Sequence, residues 1–503
     1  MAVNSKDGVF MHRRRFLQYS VSSCFASGLF STTALAEQKT AVSNGPQLLP
    51  AGELPQGNAL PDLPVLKNES DRLGEFQGTL IAQEHEIQLT SGTAPTRCQL
   101  YNGQLPGPLI ELEAGMKVTL TFINRLKEAS TIHWHGLPVP SSQDGGPEDP
   151  IAPGETRVYR FTLPDDISGS YWYHPHPLSG ASAQISKGLS GPIIIRHPQE
   201  NLRKLPEQYW VISDLRLDTQ GQIPANCYAD WVDGREGENV LINGQRHPQI
   251  TLDGQQRIRV WNMCSARYLQ LSLPGAQWLV VGTDGGLSEK ASAPQHAVLL
   301  APGERLELLV IGESKTYSLN LLPYDRHRMM SKVPAVASIL ATVSFRSGPP
   351  PVTTGMALRA IPALPEGTGQ LRALMSEKMA DIMKNKASGI PPKGAFLING
   401  RSFDVNRMDL HTVVNQVDNW QIINATTMDH PFHIHGGQFQ VVQRSLRGVK
   451  TVPEYLSWKD TINLQPGEIV IIRMRQTSSG MRMYHCHIIE HEELGMMGNL
   501  MVS

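Results

Sequence analysis

"APGETRVYRF", residues 152–161, joins a Pro-Gly-Glu turn to a run with the side-chain alternation of a strand. The chain contains two further copies, "APGERLELLV" (301–310) and "QPGEIVIIRM" (465–474). An Asn-Gly turn precedes each copy, in "YNGQLPGP" (101–108), "LINGQRHP" (241–248) and "LINGRSFD" (397–404). Because the Pro-Gly-Glu copies are 149 and 164 residues apart, the repeated unit is a whole domain.

The stretches between these turns favour strands. Runs such as "KVTLTFIN" (117–124) and "QRIRVWNM" (256–263) alternate with period two and contain β-branched residues. A length of 503 residues fits three domains at about 150 residues each. We therefore predict an all-β protein with three consecutive Greek-key β-sandwich domains. The expected boundaries are 63–198, 205–348 and 393–503, with a linker carrying a methionine-bearing helix over 349–392.

The first 36 residues predict an export signal. Arg13-Arg14-Arg15-Phe16-Leu17 begins a weakly polar run that ends on Ala34-Leu35-Ala36, a small-x-small cleavage site. Paired arginines followed by x-Phe-Leu resemble the signal read by the bacterial twin-arginine export machinery. Cleavage after Ala36 would leave a lead-in tail over 37–62 and a periplasmic protein.

Composition bears on the expected partners. The chain has no run of 18 or more apolar residues, so no membrane anchor is predicted. Its net charge of −1 does not indicate a nucleic-acid partner. The five cysteines form no regular disulfide framework, and Cys98, Cys227 and Cys264 are interpreted as free thiols. We expect a monomer.

Histidines carry the strongest functional signal. Ten of the 17 fall in four short motifs: His133-Trp134-His135, His174-Pro175-His176, the run from His430 to His435, and His485-Cys486-His487 with His491. On a strand, residues i and i+2 face the same side, so each His-x-His pair aims two imidazoles at one place. Eight convergent imidazoles are too many for a single zinc ion with four ligands. Three metals, with two, three and three imidazoles, would use all eight. We interpret the scattered histidines as ordinary core or surface residues: His85, His197, His247, His296, His327 and His411.

Cys486 faces the opposite side of its strand from His485 and His487. It can therefore reach a separate metal together with His430, His491 and Met496. Two His, one Cys and a weak axial Met describe an electron-transfer copper. This arrangement suits an enzyme that collects electrons singly and delivers four of them to dioxygen.

At this point the sequence from about 63 to 503 resembles the multicopper oxidases, which are built from three cupredoxin domains. "DHPFHIHGGQF" and "HCHIIEHEELGMM" are most similar to the bacterial periplasmic copper efflux oxidases of the CueO type. The resemblance implies four copper ions. It assigns type 1 copper to His430, Cys486, His491 and Met496, type 2 copper to His133 and His433, one type 3 copper to His135, His174 and His487, and the other to His176, His435 and His485. The type 2 and type 3 coppers would lie between the first and third domains, with the middle domain as a spacer.

The resemblance also suggests residues for protons and substrate. Asp144 and Glu492 match the carboxylates that serve proton transfer in the family, although Asp144 also suits a turn. Met375, Met379 and Met383 are spaced as one face of a helix, which alone favours an apolar core stripe. Thioether sulfur prefers Cu(I). The hypothesis is a docking site for substrate Cu(I) made by Met375, Met379, Asp381 and Met428.

The predicted function is therefore oxidation of Cu(I), with phenols or amines as side substrates, coupled to reduction of O2 to water for periplasmic copper tolerance. Thr426 occupies the position at which the copper efflux oxidases have an aspartate of the substrate site, and the methionine-rich insertion is shorter here than in that family. Organic substrates are therefore kept as an alternative to Cu(I). The first alternative is a laccase acting on a phenol or siderophore. Non-enzymatic alternatives are a copper-binding protein and a cell-division structural relative. Loss of the copper ligands would favour the latter, but this sequence keeps them.

Overall fold

The computed structural model describes residues 46–331, 336–348 and 352–503. The predicted export signal (1–36) and the start of the lead-in tail lie outside these residues. In the described part, strands form six sheets, and no helix is both long and apolar enough to cross a membrane. The sheets pack as three pairs, each around its own buried apolar cluster.

The first pair follows the 3-10 turn Ala51–Glu53. Its elements are β1 (Glu75–Ile87), β2 (Thr96–Tyr101), β3 (Ile110–Glu113), β4 (Lys117–Asn124), β5 (His133–His135), the 3-10 turn Ser141–Gln143, β6 (Thr156–Thr162), β7 (Gly169–His174), helix α1 (Ala181–Ser186) and β8 (Gly191–Arg196). One sheet has the order β2-β1-β4-β6 and the other β3-β8-β7-β5. Leu80 and Leu120 of the first sheet share a buried cluster with Tyr171 and Ile193 of the second, which makes the pair a sandwich.

The second pair is larger. Its elements are β9 (Glu207–Leu215), helix α2 (Tyr228–Asp233), β10 (Asn239–Ile242), β11 (Gln245–Arg246), β12 (Gln249–Asp253), β13 (Arg257–Asn262), β14 (Leu269–Ser272), β15 (Gln277–Thr283), β16 (Gly286–Leu287), β17 (Ala297–Leu300), β18 (Arg305–Ile311), β19 (Lys315–Leu322) and β20 (Ser338–Arg346). The sheet orders are β11-β10-β9-β13-β18-β15-β16 and β12-β20-β19-β14-β17. Trp210 and Trp278 of one sheet pack in the same cluster as Leu269 and Leu319 of the other.

The third pair closes the chain. Its elements are β21 (Gly369–Glu377), helix α3 (Met379–Lys384), the 3-10 turn Lys386–Ser388, β22 (Phe396–Ile398), β23 (Leu410–Thr412), β24 (Val417–Asn424), β25 (His430–Ile434), β26 (Phe439–Leu446), β27 (Val449–Thr451), β28 (Thr461–Leu464), β29 (Ile469–Arg475), β30 (Gly480–Cys486), helix α4 (Ile489–Glu493) and β31 (Met497–Val502). The sheet orders are β22-β21-β24-β29-β26-β27 and β23-β31-β30-β25-β28. Trp420 and Phe432, on opposite sheets, lie in one cluster.

These three sandwiches confirm the predicted fold class, because in each pair the chain crosses repeatedly between the two sheets. In the first pair, for example, β3, β5 and β7 lie in one sheet and β4 and β6 in the other. The predicted domain boundaries remain predictions. The strands of the third pair begin at Gly369, inside the stretch 349–392 that is predicted from the sequence to be a linker.

The expected methionine-bearing helix is wrong over its first half. Leu371 and Met375 lie on β21, which pairs in parallel with β24 and antiparallel with β22. Only Met379 and Met383 lie on α3. A spacing of four residues fits one helix face, but four is also an even number, so it equally fits one strand face. Hydrogen bonds to the neighbouring strands decide between the two periods here.

Candidate metal centres

The four His-x-His motifs begin on strands and converge. His133 faces His174 across the pairing of β5 and β7. His433 faces His485 across the pairing of β25 and β30, and the next pair along the same ladder is Phe432 with Cys486. The first and third sandwiches therefore each bring two motifs to one place.

The eight imidazoles of these motifs are all buried and form three groups, with His135 shared by two of them. Within each group the possible ligand atoms lie within 4.8 Å of one another. The groups are His133 with His135 and His433, His135 with His174 and His487, and His176 with His435 and His485. The last two match the predicted type 3 sets, and the first contains both predicted type 2 residues.

In the third group, the Nε2 atom of His485 lies 3.4 Å from Nε2 of His176 and 3.1 Å from Nε2 of His435. The three ring nitrogens are directed at one point, and the Glu492 carboxylate lies 3.4 Å from one of them, Nε2 of His176. This convergence is what a bound cation requires.

The opposite ring edges are held by hydrogen bonds. The Nδ1 of His433 donates to the carbonyl oxygen of Asp460 at 2.8 Å, and that of His174 to Pro175 at 3.1 Å. The Nε2 atoms of these two rings, and that of His133, are buried without a protein partner. Metal-binding histidines characteristically anchor one nitrogen in this way and present the other to the metal. The residues therefore fit copper.

Burial also sets the protonation of the rings. It lowers the pKa of His176 to about 4 and that of His487 to about 3. Burial and neighbouring imidazoles hold the pKa of His433 well below its usual value. Neutral imidazole is the form that binds a metal, so these rings are ready as ligands at neutral pH.

A separate group surrounds Cys486. Its Sγ lies 3.2 Å from Nδ1 of His430 and 4.0 Å from Nδ1 of His491, and those two nitrogens are 3.3 Å apart. Burial raises the pKa of the Cys486 thiol, so a cation is needed to hold it as a thiolate. The Cys486 N–H donates to the carbonyl oxygen of Met496, whose side chain is buried in the same apolar cluster. The four predicted type 1 residues are thus brought together.

The two predicted proton-transfer carboxylates lie against the imidazoles. Asp144 is 3.2 Å from Nδ1 of both His133 and His435, through Oδ1 and Oδ2 respectively. Glu492 is 3.1 Å from Nδ1 of His485 and 3.4 Å from Nε2 of His176. Burial alone would raise the pKa of Glu492, but His176 and His485 lower it to about 2. Both acids are buried beside the eight imidazoles.

The predicted substrate residues are only partly united. Met375 and Met428 are fully buried, Met379 is half-buried and Asp381 is exposed. The Met375 carbonyl accepts the Ala425 N–H at 2.9 Å, which ties β21 to the turn that carries Met428. Asp381 lies on α3. The neighbouring Ile382 of α3 packs in the apolar cluster that contains Cys486 and Met496, whereas Asp381 itself is exposed.

Sequence reasoning missed the contribution of the middle sandwich. The carbonyl oxygen of Val232 accepts the Nε2–H of His491 at 2.9 Å. Arg305 donates to Asp460, which in turn lies 3.0 Å from Nε2 of His135. The middle sandwich is therefore more than a spacer. Arg305 directly follows a Pro-Gly-Glu turn, but a single charged residue at the start of a strand gives no signal that it is buried.

A β-sandwich chain with these ligand sets defines a copper-dependent oxidoreductase. Sequence models of the multicopper oxidases match residues 82–200 and 374–503. Multicopper oxidase mco of Staphylococcus aureus is 32% identical over 451 residues, 87% of this chain and 91% of the relative. The chain belongs to the multicopper oxidase family, whose members bind four copper ions.

Solved structures agree. "Multicopper oxidase from Campylobacter jejuni: a metallo-oxidase" is 42% identical, with a TM-score of 0.87 over 92% of this chain and 100% of that one. A laccase-like multicopper oxidase CueO from Ochrobactrum sp. is 27% identical, with a TM-score of 0.75 over 88% and 100%. Among sequence relatives, cell division protein FtsP of Xenorhabdus nematophila is 28% identical over 80% of this chain and 84% of its own length.

Proposed function

We propose that the protein oxidises Cu(I) in the bacterial periplasm and thereby supports copper tolerance. Four Cu(I) ions would each lose one electron, and one O2 would take up four electrons and four protons to give two waters. The observation that carries the proposal is the position of buried methionines. Met375 lies in the same apolar cluster as Cys486 and Met496, and Met428 is two residues from His430.

The chemistry of these side chains supports a soft substrate ion. Thioether sulfur selects Cu(I) over harder cations, and Met329 and Met330 of the middle sandwich pack against the same cluster. The metallo-oxidase of Campylobacter jejuni, 42% identical, is consistent with a metal ion as reductant. Met375, Met379, Asp381 and Met428 are the proposed substrate ligands.

The proposed roles follow the geometry of the ligand sets. When bound, the four coppers supply one-electron transfer and the reduction of dioxygen. His430, Cys486, His491 and Met496 would hold type 1 copper, and His133 with His433 would hold type 2. The type 3 ligands would be His135, His174 and His487 for one ion and His176, His435 and His485 for the other. The peptide units on either side of Cys486 lead directly to His485 and His487, which gives the electron a short covalent route.

Asp144 and Glu492 are proposed to handle the protons. At neutral pH each is a carboxylate, because the facing imidazoles hold its pKa low despite burial. Asp144 Oδ2 and Glu492 Oε2 would then accept protons from solvent and pass them towards the oxygen being reduced. The same carboxylates orient the rings of His435 and His485.

Oxygen consumption tests the proposal. Copper-loaded protein is supplied with Cu(I) or with dimethoxyphenol, each with and without added Cu(II). We expect Cu(I) turnover at four ions per O2, and phenol turnover that rises on addition of Cu(II). Two results together would favour laccase activity over Cu(I) oxidation as the function. These are Cu(I) oxidation no faster than the protein-free background, and a rate of phenol turnover that does not change when Cu(II) is added.

A laccase-type oxidation of phenols or siderophores is the second candidate. A cavity of about 350 Å³ lies near the type 1 ligands and is lined by Trp231, Ile390, Pro391, Pro392 and Leu494, among others. Trp231 directly precedes Val232, the hydrogen-bond partner of His491. An apolar cavity with one indole suits an aromatic substrate. The likeness to a laccase-like enzyme of Ochrobactrum sp. agrees with this candidate.

A structural role, as in the cell-division protein FtsP, is the non-enzymatic alternative. The retained ligand sets argue against it, and absence of turnover with every reductant in the assay above would favour it. Periplasmic location rests on the twin-arginine pattern at Arg13–Leu17. Replacing Arg13 and Arg14 by Lys should leave the unprocessed chain in the cytoplasm, as detected by fractionation.

A further inference from the structure

The loop that follows β19 docks on the residue next to a type 1 ligand. The backbone N–H of Asp429 donates to the carbonyl oxygen of Arg326 at 3.0 Å. The Asp429 carboxylate is fully buried and accepts hydrogen bonds from the Tyr324 hydroxyl at 2.7 Å and the Asn463 amide at 2.8 Å. These hydrogen bonds fix the position of the Asp429 carboxylate, which can accept a further hydrogen bond from a neighbouring side chain.

His327 contacts the Asp429 carboxylate from the protein surface. Its Nδ1 lies 3.3 Å from Oδ1 of Asp429, while 47% of its side chain is exposed. With the proton on Nδ1, the ring donates to Asp429 and presents the Nε2 lone pair on its opposite edge. A carboxylate behind an imidazole is the arrangement that orients metal-binding histidines and raises their basicity. Asp325, also exposed, accepts the His327 N–H through its own carboxylate.

Asp429 is also one peptide unit from the predicted type 1 ligand His430. Asp429 directly precedes His430, whose Nδ1 faces Cys486. A covalent and hydrogen-bonded path therefore runs from a half-exposed imidazole to a buried ligand. None of the methionines lies on this path.

We propose that His327 is a docking ligand for a reducing first-row metal ion, Cu(I) or Fe(II), and that Asp429 is its positioning residue. The inference rests on the proposed function and adds a second route of electron input to the methionine site. The ion bound at Nε2 loses one electron and its charge rises by one. The electron would pass through Asp429 and its peptide to His430, and copper(II) held by His430, Cys486, His491 and Met496 would accept it. No proton moves, and the oxidised ion leaves to solvent.

The test uses copper-loaded protein and the variant His327→Asn. His327 has a φ of 64°, in the left-handed region that Asn tolerates, so the loop conformation is kept while the imidazole is removed. His411→Asn, at another exposed histidine, is the matched control. Anaerobic bleaching of the type 1 copper colour is followed with Cu(I), with Fe(II) and with dimethoxyphenol.

We expect the apparent KM for Cu(I), Fe(II) or both to rise about tenfold or more in His327→Asn, as for loss of a metal ligand or its support. Loss with one ion alone identifies that ion as the substrate of this site. The phenol rate and the type 1 reduction potential should match the parent, and His411→Asn should behave as the parent throughout. Unchanged kinetics with both ions, an equal loss with the phenol, or a shifted potential that accounts for the loss would overturn the inference.

A binding measurement gives a readout without turnover. Ag(I) and Zn(II), which are not oxidised here, stand in for Cu(I) and Fe(II) in calorimetric titrations of the copper-loaded protein. The His327→Asn protein should lack one site that the parent and His411→Asn both have, and an equal number of sites in all three would refute the docking role. If the parent binds these ions at His327 but never oxidises Cu(I), the proposed function fails while the docking site stands.

Discussion

Arg305 and Asp460 form a fully buried ion pair, with Nη1 of the arginine 2.6 Å from Oδ1 of the carboxylate. The pair joins the middle sandwich to the third. The same Oδ1 lies 3.0 Å from Nε2 of His135, on the side of the ring away from its unpartnered Nδ1. The pair therefore holds one imidazole of the eight in a fixed orientation.

Removing one member of this pair should be costly. Arg305→Met leaves the Asp460 carboxylate buried without its cation, which destabilises a protein by about 3–5 kcal/mol. We expect that loss in the free energy of unfolding of the copper-free protein, measured by denaturant titration. Arg346→Met, at a surface pair with Asp253, should cost about 0–1 kcal/mol. Similar losses in the two variants would mean that the buried pair contributes no more to the free energy of unfolding than the surface pair does.

Cys486→Ser should remove the blue colour, because the intense absorption of such sites requires a copper–thiolate bond. The eight imidazoles do not include the thiol, so copper bound by them should largely remain. Visible absorption and metal analysis on one sample separate the two effects. A blue Cys486→Ser protein would rule out the type 1 assignment. Cys98→Ser, at a buried thiol outside the ligand groups, is the control.

His133→Ala should produce the opposite phenotype. The type 1 residues are untouched, so the protein should be blue and should bleach with a reductant under nitrogen. Return of the colour on admitting air should be lost or much slower, because one of the two predicted type 2 ligands is gone. Stopped-flow absorbance measures both steps. Full reoxidation at the parent rate would show that His133 is not needed for oxygen reduction.

The double variant Met375→Leu and Met428→Leu tests the cuprous site. Leucine conserves volume, so the stability cost should stay under about 1.5 kcal/mol for each swap. Cu(I) oxidation should fall, mainly through a raised KM, and the Cu(II)-dependent gain in phenol oxidation should fall with it. Direct phenol oxidation should not fall. Met263→Leu, a buried methionine in a different cluster, is the control. Parent-like Cu(I) kinetics would reduce Met375 and Met428 to core residues.

The copper-free protein should lose stability as the pH falls below about 6.5. The folded-state pKa values of His487 and His491 are about 3, whereas free histidine titrates near 6.5. Between these values the unfolded chain binds more protons than the folded one, so acid favours unfolding by about 1.4 kcal/mol per pH unit per group. Burial raises the pKa of Glu490 to about 7, which opposes this trend by one group.

Thermal unfolding at pH 7.5 and pH 5.5 checks this dependence. Copper-free protein should melt at a lower temperature at pH 5.5 than at pH 7.5. Copper-loaded protein should show a difference at least as large, because the metal-bound nitrogens also carry no protons in the folded state and, with the Cys486 thiolate, take up protons once unfolding releases the metal. A copper-free melting temperature that is equal or higher at pH 5.5 would contradict neutral burial of the ligand histidines.

Much of the fold could be predicted because local patterns and global architecture agree. The Pro-Gly-Glu copies at 152–161, 301–310 and 465–474 precede or open strands β6, β18 and β29, which pair at equivalent places in three sandwiches. The convergence of the histidines could be predicted equally well, since short spacing on a strand fixes which side chains share a face, whereas their roles as copper ligands stay predictions. Both signals are local in sequence.

The remaining features depend on contacts between residues far apart in the chain. Strand β21 could not be told from a helix, because its residues pair with residues of β24 that lie 49 positions further along the chain, and local spacing fits either period. Val232 reaches His491 through a backbone carbonyl, which has no residue-type signature. His327, interpreted from sequence as an ordinary residue, contacts the buried Asp429, and no feature of the local sequence indicates that contact.

In the register of β25 against β30, His433 lies opposite His485 and Phe432 lies opposite Cys486. Alternate residues of these strands therefore face different metal sites. Inserting or deleting one residue between Gly480 and His485 would exchange the two faces of the strand. The thiol would then turn towards the eight imidazoles and the imidazoles towards the apolar core. A change of two residues keeps each side chain on its face. A change of loop length outside these strands therefore leaves both faces intact, whereas a single-residue shift within them would disrupt both groups of ligand residues at once.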